Sequence, residues 1–191
     1  MRVLILALLL ALTGCATTPE NIDNVCSVFD QKGGWFNNWY DQAKDVEHEY
    51  GVPVPILMAT LYKESGFQAD AKPPRAYLLW IIPWGRISSA YGYPQALDST
   101  WDWYKRATGR GGADRDDFDD AVQFVGWYYQ QSHIRNGIAL NDAYHLYISY
   151  YVGHGGYSRG VWRNNSRVKR LARDTARMAD RYAAQMRGCG R

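Results

Sequence analysis

No apolar run in this chain of 191 residues is long enough to cross a membrane permanently. The longest, Val3 to Leu12 (VLILALLLAL), falls short of a bilayer-spanning helix. Cysteine is scarce, occurring only at Cys15, Cys26 and Cys189, and no two of these form a CxxC pair. His48, His133, His145 and His154 share no spacing of the kind zinc sites use, so neither a metal centre nor another cofactor is expected. A phosphate-cradling glycine loop is also missing. The GHGG at 153–156 follows a helix end, where glycines more often serve as caps. Strand-like alternation persists nowhere, apart from a segment from Tyr77 to Ile87 with room for short strands, so a mostly α single domain is expected. There is no internal repeat. The formal net charge of +3 is close to balance, and no nucleic-acid partner is expected. The balance is uneven, because from Arg159 onward many arginines face only Asp174 and Asp180. That excess suits an anionic polymer or anionic lipid head groups, or is simply a solvated helix face.

What is present begins with a secretory signal. Arg2 precedes the apolar run, and the small residues before Cys15 provide a processing site. Leu12-Thr13-Gly14-Cys15 resembles the lipobox of bacterial lipoproteins, which implies removal of residues 1–14 and lipidation of Cys15. Ala16, with no Asp beside Cys15, fits the family rule for the outer membrane, so an outer-membrane lipoprotein facing the periplasm is expected. Residues 15–34 then read as a polar tether and 35–191 as the domain. In an oxidising compartment Cys26 and Cys189 could close a disulfide joining the two ends; the alternative is two free thiols.

Inside the domain, Trp35, Trp39, Ala43, Val46 and Tyr50 share one helical face, stopped by Gly51 and Pro53. Further helices are expected from about Pro55 through ILMATLYKES, from Pro94 to Ala107, from Asp117 to Arg135, from Asn141 to Val152 and from Arg167 to Arg187. The last carries Val168, Leu171, Thr175, Met178, Tyr182 and Met186 along one stripe. Aromatic residues make up 15% of the chain, and their flat faces suit a core as well as stacking on sugar rings.

Leu57, Leu61 and Glu64 fall at i, i+4 and i+7 of the second helix, which aims Glu64 at the interior or at a cleft wall. A carboxyl group held against apolar surface keeps its proton to higher pH and can act as a general acid. Helical phase alone equally allows a solvent-facing Glu64 paired with Lys63 or a nearby arginine. Three motifs bear on the choice. Glu64-Ser65-x-Phe67 is followed by Ser89, Ala90, Tyr91, Gly92, Gln95 and Thr100, and then by Ser149, Tyr150, Tyr151, Val152, Gly153, His154 and Gly155. In that order the chain resembles the SLT-type lytic transglycosylases, relatives of goose-type lysozyme. It departs from them at Ser89 and Tyr151, which stand where the family has Gly and Asn, and in the apparent insert PPRAYLLWIIPWGR, whose Trp80 and Trp84 could line a sugar subsite or cap the core.

The resemblance implies a lysozyme-like fold and a peptidoglycan substrate. It makes Glu64 the single acid/base that cleaves the β-1,4 bond between N-acetylmuramic acid (MurNAc) and N-acetylglucosamine (GlcNAc), leaving a 1,6-anhydro sugar. It also implies substrate contacts at Ser65, Tyr91, Gln95, Tyr150 and Tyr151, with Tyr150 near Glu64 or the N-acetyl group. Two alternatives remain open at this point: a hydrolytic muramidase using a second carboxylate such as Asp98, and a non-catalytic wall-binding lipoprotein.

Overall fold

The computed structural model describes residues 17–34, 38–78, 82–86 and 88–191, with the backbone alone for the strand residues between 75 and 86. The signal, Cys15, Trp35, Trp80 and the Trp84 side chain lie outside the described residues. The elements in chain order are α1 (Val25–Gln31), α2 (Trp39–Tyr50), α3 (Val54–Ser65), β1 (Arg75–Leu78), β2 (Ile82–Arg86), α4 (Asp98–Thr108), α5 (Phe118–Asn136), α6 (Ala143–Ser158) and α7 (Ser166–Gly188). The expected mostly α class holds. The two strands form an antiparallel hairpin with a register irregularity between Ala76 and Tyr77.

Local chemistry sets the helix starts. Asn38, Asp117, Asp142 and Asn165 each accept backbone N–H bonds at the first turn of α2, α5, α6 and α7. Helix α5 is apolar on nearly every side, from Phe118 to Tyr129, and it forms the axis of the core. Trp39 stacks on Phe118 with ring centroids 3.8 Å apart and meets Tyr93 edge-on. Where α2 crosses α5, a Cβ on Gly126 would lie 2.3 Å from the Val46 side chain, so only glycine permits the approach.

Three boundaries differ from the sequence reading. Helix α4 begins at Asp98 rather than Pro94, because Pro94 to Leu97 is occupied by a tight turn with a Tyr91–Ala96 bridge and Gln95 at φ 48°. Helix α6 runs past Val152 to Ser158 but breaks at Gly153, whose φ of 74° and ψ of 158° no other residue type adopts readily.

The third correction concerns the segment read as a tether, which carries α1 and is fixed to α7 through Ile22, Asp23, Val25 and Cys26. Val25, Val28 and Phe29 are fully buried. Val25 N–H donates to Gln185 Oε1 at 2.9 Å, Gln185 Nε2 donates to the Asp23 carbonyl at 3.0 Å, and the Tyr182 hydroxyl donates to the Ile22 carbonyl. Cys26 and Cys189 are joined by a disulfide, with Cα atoms 6.4 Å apart. A seven-residue helix is marginal alone, and its stability comes from α7.

The bridge spans 163 residues of sequence. Chain-entropy reasoning gives such a loop about 5 kcal/mol of stabilisation as an upper figure. The Cys26→Ser/Cys189→Ser variant should melt at least about 5 °C lower in calorimetry. An unchanged Tm would mean that the non-covalent contacts of α1 suffice.

Candidate active site

Helix α3 is buried from Ile56 through Leu61, and its last turn emerges at a cleft. Lys63 turns outward to Asp174, 4.0 Å away, so it does not serve as the partner of Glu64. Glu64 faces inward, as its phase with Leu57 and Leu61 allows, and its Oε1 is buried with no hydrogen-bond partner. Burial penalises the charged form and pushes the carboxyl up to about 7, while donation from the Tyr147 hydroxyl and the charge of Lys63 pull the other way. At neutral pH the group therefore divides between acid and base, which is the poise that acid/base catalysis needs.

Phenols surround it. Tyr129, Tyr147 and Tyr150 all have their ionisation raised further by the negative charge of Glu64. The Tyr129 hydroxyl is committed to Thr60 at 2.7 Å, and the Tyr150 hydroxyl donates to the Pro94 carbonyl. Tyr147 is thus the phenol whose hydroxyl is directed to Glu64.

The cleft, of about 590 Å³, is lined by Glu64, Ser88, Gln95, Ala96, Leu97, Thr100, Phe124, Tyr128, Tyr150, Tyr151, Val152 and Gly153. Its far wall is the 88–97 loop. There the Gly92 N–H donates to the Ala71 carbonyl at 3.0 Å, and the Tyr93 N–H to the Arg115 carbonyl at 2.9 Å. Gly92 sits at φ 73°, and a Cβ there would lie 2.1 Å from the Arg115 carbonyl oxygen. Arg115 also donates to the carbonyls of Ser89 and Ala96 and pairs with Asp98 at 2.8 Å. Opposite, the Tyr128 ring stacks on His154 at 4.2 Å. The His154 Nε2 lies 3.0 Å from Ser132 Oγ, and burial pushes this histidine down.

The structure sorts the site residues anticipated from the sequence. Glu64, Gln95, Tyr150 and Tyr151 come together in the cleft. Gln95 spends its amide N–H groups on the carbonyls of Ala71 and Gly92, both at 2.9 Å, so it shapes the loop as well as facing the cavity. Ser65 does not line the cleft: it is buried, and its hydroxyl donates to Leu61 one turn back, at 3.2 Å. Tyr91 lies instead on a neighbouring pocket of about 400 Å³, its hydroxyl donating to Asp116 at 2.8 Å. Tyr150 supports the wall through Pro94 rather than bonding Glu64. The sequence reading missed Tyr147, whose signal was its position one helical turn before Tyr150 and Tyr151.

Every Asp and Glu of the chain lies among the described residues, and Glu64 is the one carboxylate lining this cleft. Asp98, the second carboxylate a hydrolytic mechanism would require, is paired with Arg115 and lines the neighbouring pocket with Tyr91.

A mostly helical domain with a lone, burial-raised glutamate in an open aromatic cleft is of the lysozyme-like class. The chain matches the family model described as "Transglycosylase SLT domain" over residues 3–189, and it belongs to that family. A search among curated proteins finds no match. Membership points to lytic transglycosylase activity on peptidoglycan.

The raised Glu64 carries a stability signature. Its folded pKa of about 7 lies above the ordinary glutamate value of 4.5, so the native state binds more protons between these values and stability falls as pH rises through that window. Glu64→Gln should therefore stabilise the protein by about 2–3 kcal/mol above pH 7 and by little below pH 4.5. Melting scans across pH check this, and a pH-independent difference would contradict the burial argument. Carbon-13 NMR of the carboxyl should place the wild-type midpoint near 7. The midpoint should move higher in Tyr147→Phe, where a donor to the charged form is gone.

Proposed function

We propose that this protein is a lytic transglycosylase that cleaves the β-1,4 bond between MurNAc and GlcNAc in peptidoglycan, with Glu64 as the single acid/base. The observation that carries the reading is the solitary state of Glu64: its cleft contains no second carboxylate, and burial poises it at about 7.

A retaining or inverting glycosidase needs a second carboxylate, as nucleophile or to activate water. A transglycosylase needs neither, because the sugar supplies the attacking hydroxyl. The protonated Glu64 gives its proton to the glycosidic oxygen, and GlcNAc leaves with its 4-hydroxyl restored. The Glu64 carboxylate then takes the proton of the MurNAc C6 hydroxyl as O6 bonds to C1, closing the 1,6-anhydro ring and restoring the acid. One group serves both steps because its pKa sits near the working pH. Tyr147 would hold the carboxylate in place between them. Tyr151, 44% exposed at the cleft wall, offers a flat face to a sugar ring.

The reading includes an outer-membrane lipoprotein held by an acylated Cys15 and facing the periplasm, supported by the lipobox-like LTGC at 12–15.

Mass spectrometry of muropeptides released from purified sacculi tests the chemistry. Wild type should release 1,6-anhydro products, and Glu64→Gln should reduce the release by about a hundredfold or more. Hydrolysed, reducing-end products would mean a muramidase. Binding to sacculi without release, by wild type and Glu64→Gln alike, would mean a binding protein.

A further inference from the structure

The arginines of α7 have no part in the cleft. On a helix advancing 100° per residue, Arg167, Arg170, Arg173, Arg177, Arg181 and Arg187 fall on the side opposite Val168, Ala172, Thr175, Ala179 and Tyr182, which are buried. All six are exposed. Arg177 pairs with Asp174 and Arg181 with Asp23. Among the described residues Arg167, Arg170, Arg173 and Arg187 form no ion pair, and of the acidic side chains on this face Asp180 is exposed and Asp174 half-buried. The result is a basic stripe running about 30 Å, from Arg167 to Arg187, along a 23-residue helix. A solvated face would ordinarily interleave both signs along its i, i+4 neighbours.

The described N-terminal segment is fastened to the helix that carries this stripe. Thr17 gives its carbonyl to the Lys32 ammonium, and the Glu20 N–H donates to Gln31 Oε1 at 2.8 Å. Asp23 and α1 are bound to the C-terminal half of α7 through Gln185, Arg181 and the disulfide. One residue, Ala16, separates Cys15 from Thr17, a chain reach of at most about 7 Å. A group attached at residue 15 is therefore joined to the described residues by a short length of chain.

We propose that the exposed arginine stripe of α7 docks on an anionic phospholipid surface, so that the domain lies against the membrane that holds Cys15. The location rests on the lipoprotein reading; the charge complementarity of the stripe stands apart from that and from the chemistry of Glu64. A single attachment fixes position without fixing orientation, and a basic face beside it supplies the orienting contact. The carboxylates of peptidoglycan are the competing partner. The membrane is favoured because the segment that follows residue 15 is fastened to α7, the helix that carries the stripe.

The test uses the chain from residue 15 with Cys15→Ser, which removes the acyl group and leaves the stripe. It should co-sediment with vesicles of phosphatidylcholine and phosphatidylglycerol, fade as salt rises, and fail to bind phosphatidylcholine alone. Changing Arg167, Arg170, Arg173 and Arg187 to Gln should weaken vesicle binding by about a hundredfold or more, with helical circular dichroism and anhydro-muropeptide release unchanged. Two results would overturn the proposal: no wild-type binding to the anionic vesicles, or loss of sacculus binding in the variant with vesicle binding intact, which would reassign the stripe to the wall. Acylation of Cys15 is read separately, as an intact-mass increment on the chain expressed with its signal. Loss of that increment alone would remove the location and leave the stripe's affinity standing.

Discussion

The cleft depends on one electrostatic constraint, a carboxyl group kept away from water. Glu64 sits where an apolar helix ends, with an oxygen that finds no donor. Desolvation of this kind raises a carboxylate steeply, and unopposed it would leave a permanent acid with no capacity to act as a base. The opposing contribution comes from the Tyr147 hydroxyl and from Lys63, and the balance falls at about 7. The phenols make that balance achievable: each buries a large apolar ring against the carboxyl while its hydroxyl finds an internal partner, Thr60 for Tyr129 and the Pro94 carbonyl for Tyr150. Phenylalanines there would raise the acid further, and polar side chains would hydrate it.

The opposite wall is held just as firmly, though by the backbone. Arg115 ties the carbonyls of Ser89 and Ala96 together while its own carbonyl receives the Tyr93 N–H. Gly92 is needed because that carbonyl passes where a side chain would stand. Asp98 neutralises the Arg115 guanidinium at 2.8 Å, which explains the presence of a carboxylate near, but outside, the cleft. The Tyr150 hydroxyl joins this wall to α6 through Pro94. The distance between Glu64 and the loop is thus set by contacts that do not involve substrate, the preorganisation a positioned acid requires.

Much of this was legible in the sequence, for identifiable reasons. The phase of Glu64 with Leu57 and Leu61 allowed an inward side chain and the Glu-Ser-x-Phe motif favoured it, while Asn, Asp and Gly at helix ends are the caps observed. Other features were hidden because they depend on tertiary partners. Helix α1 has too few residues for a periodic signal, and what makes it a helix is Gln185 and Cys189 at the other end of the chain. Ser65 has the motif's identity, but its side chain can reach Leu61 more cheaply than a substrate. Tyr91 follows the motif into the loop, but Asp116 draws its hydroxyl toward the neighbouring pocket. Motif matching singled out Tyr150, whereas three-dimensional packing gives the glutamate contact to Tyr147, one turn earlier on α6.

The pinning of α1 also changes how a membrane-held enzyme of this kind would meet an insoluble polymer. A free segment from Cys15 to Gly34 would let the domain sample a sphere of tens of ångströms in any orientation. With Ile22 and Asp23 bonded to α7, and Thr17 and Glu20 folded back on Lys32 and Gln31 of the same segment, little of that freedom remains. On the proposed reading, such a protein cannot search outward for glycan strands and must act on those that approach the membrane. Orientation then matters more than reach, because a cleft turned toward the lipid would be idle. On that reading, the disulfide that fastens the N-terminal segment to α7 would also govern which face turns to the membrane, and so would tie the stability of the fold to the presentation of Glu64.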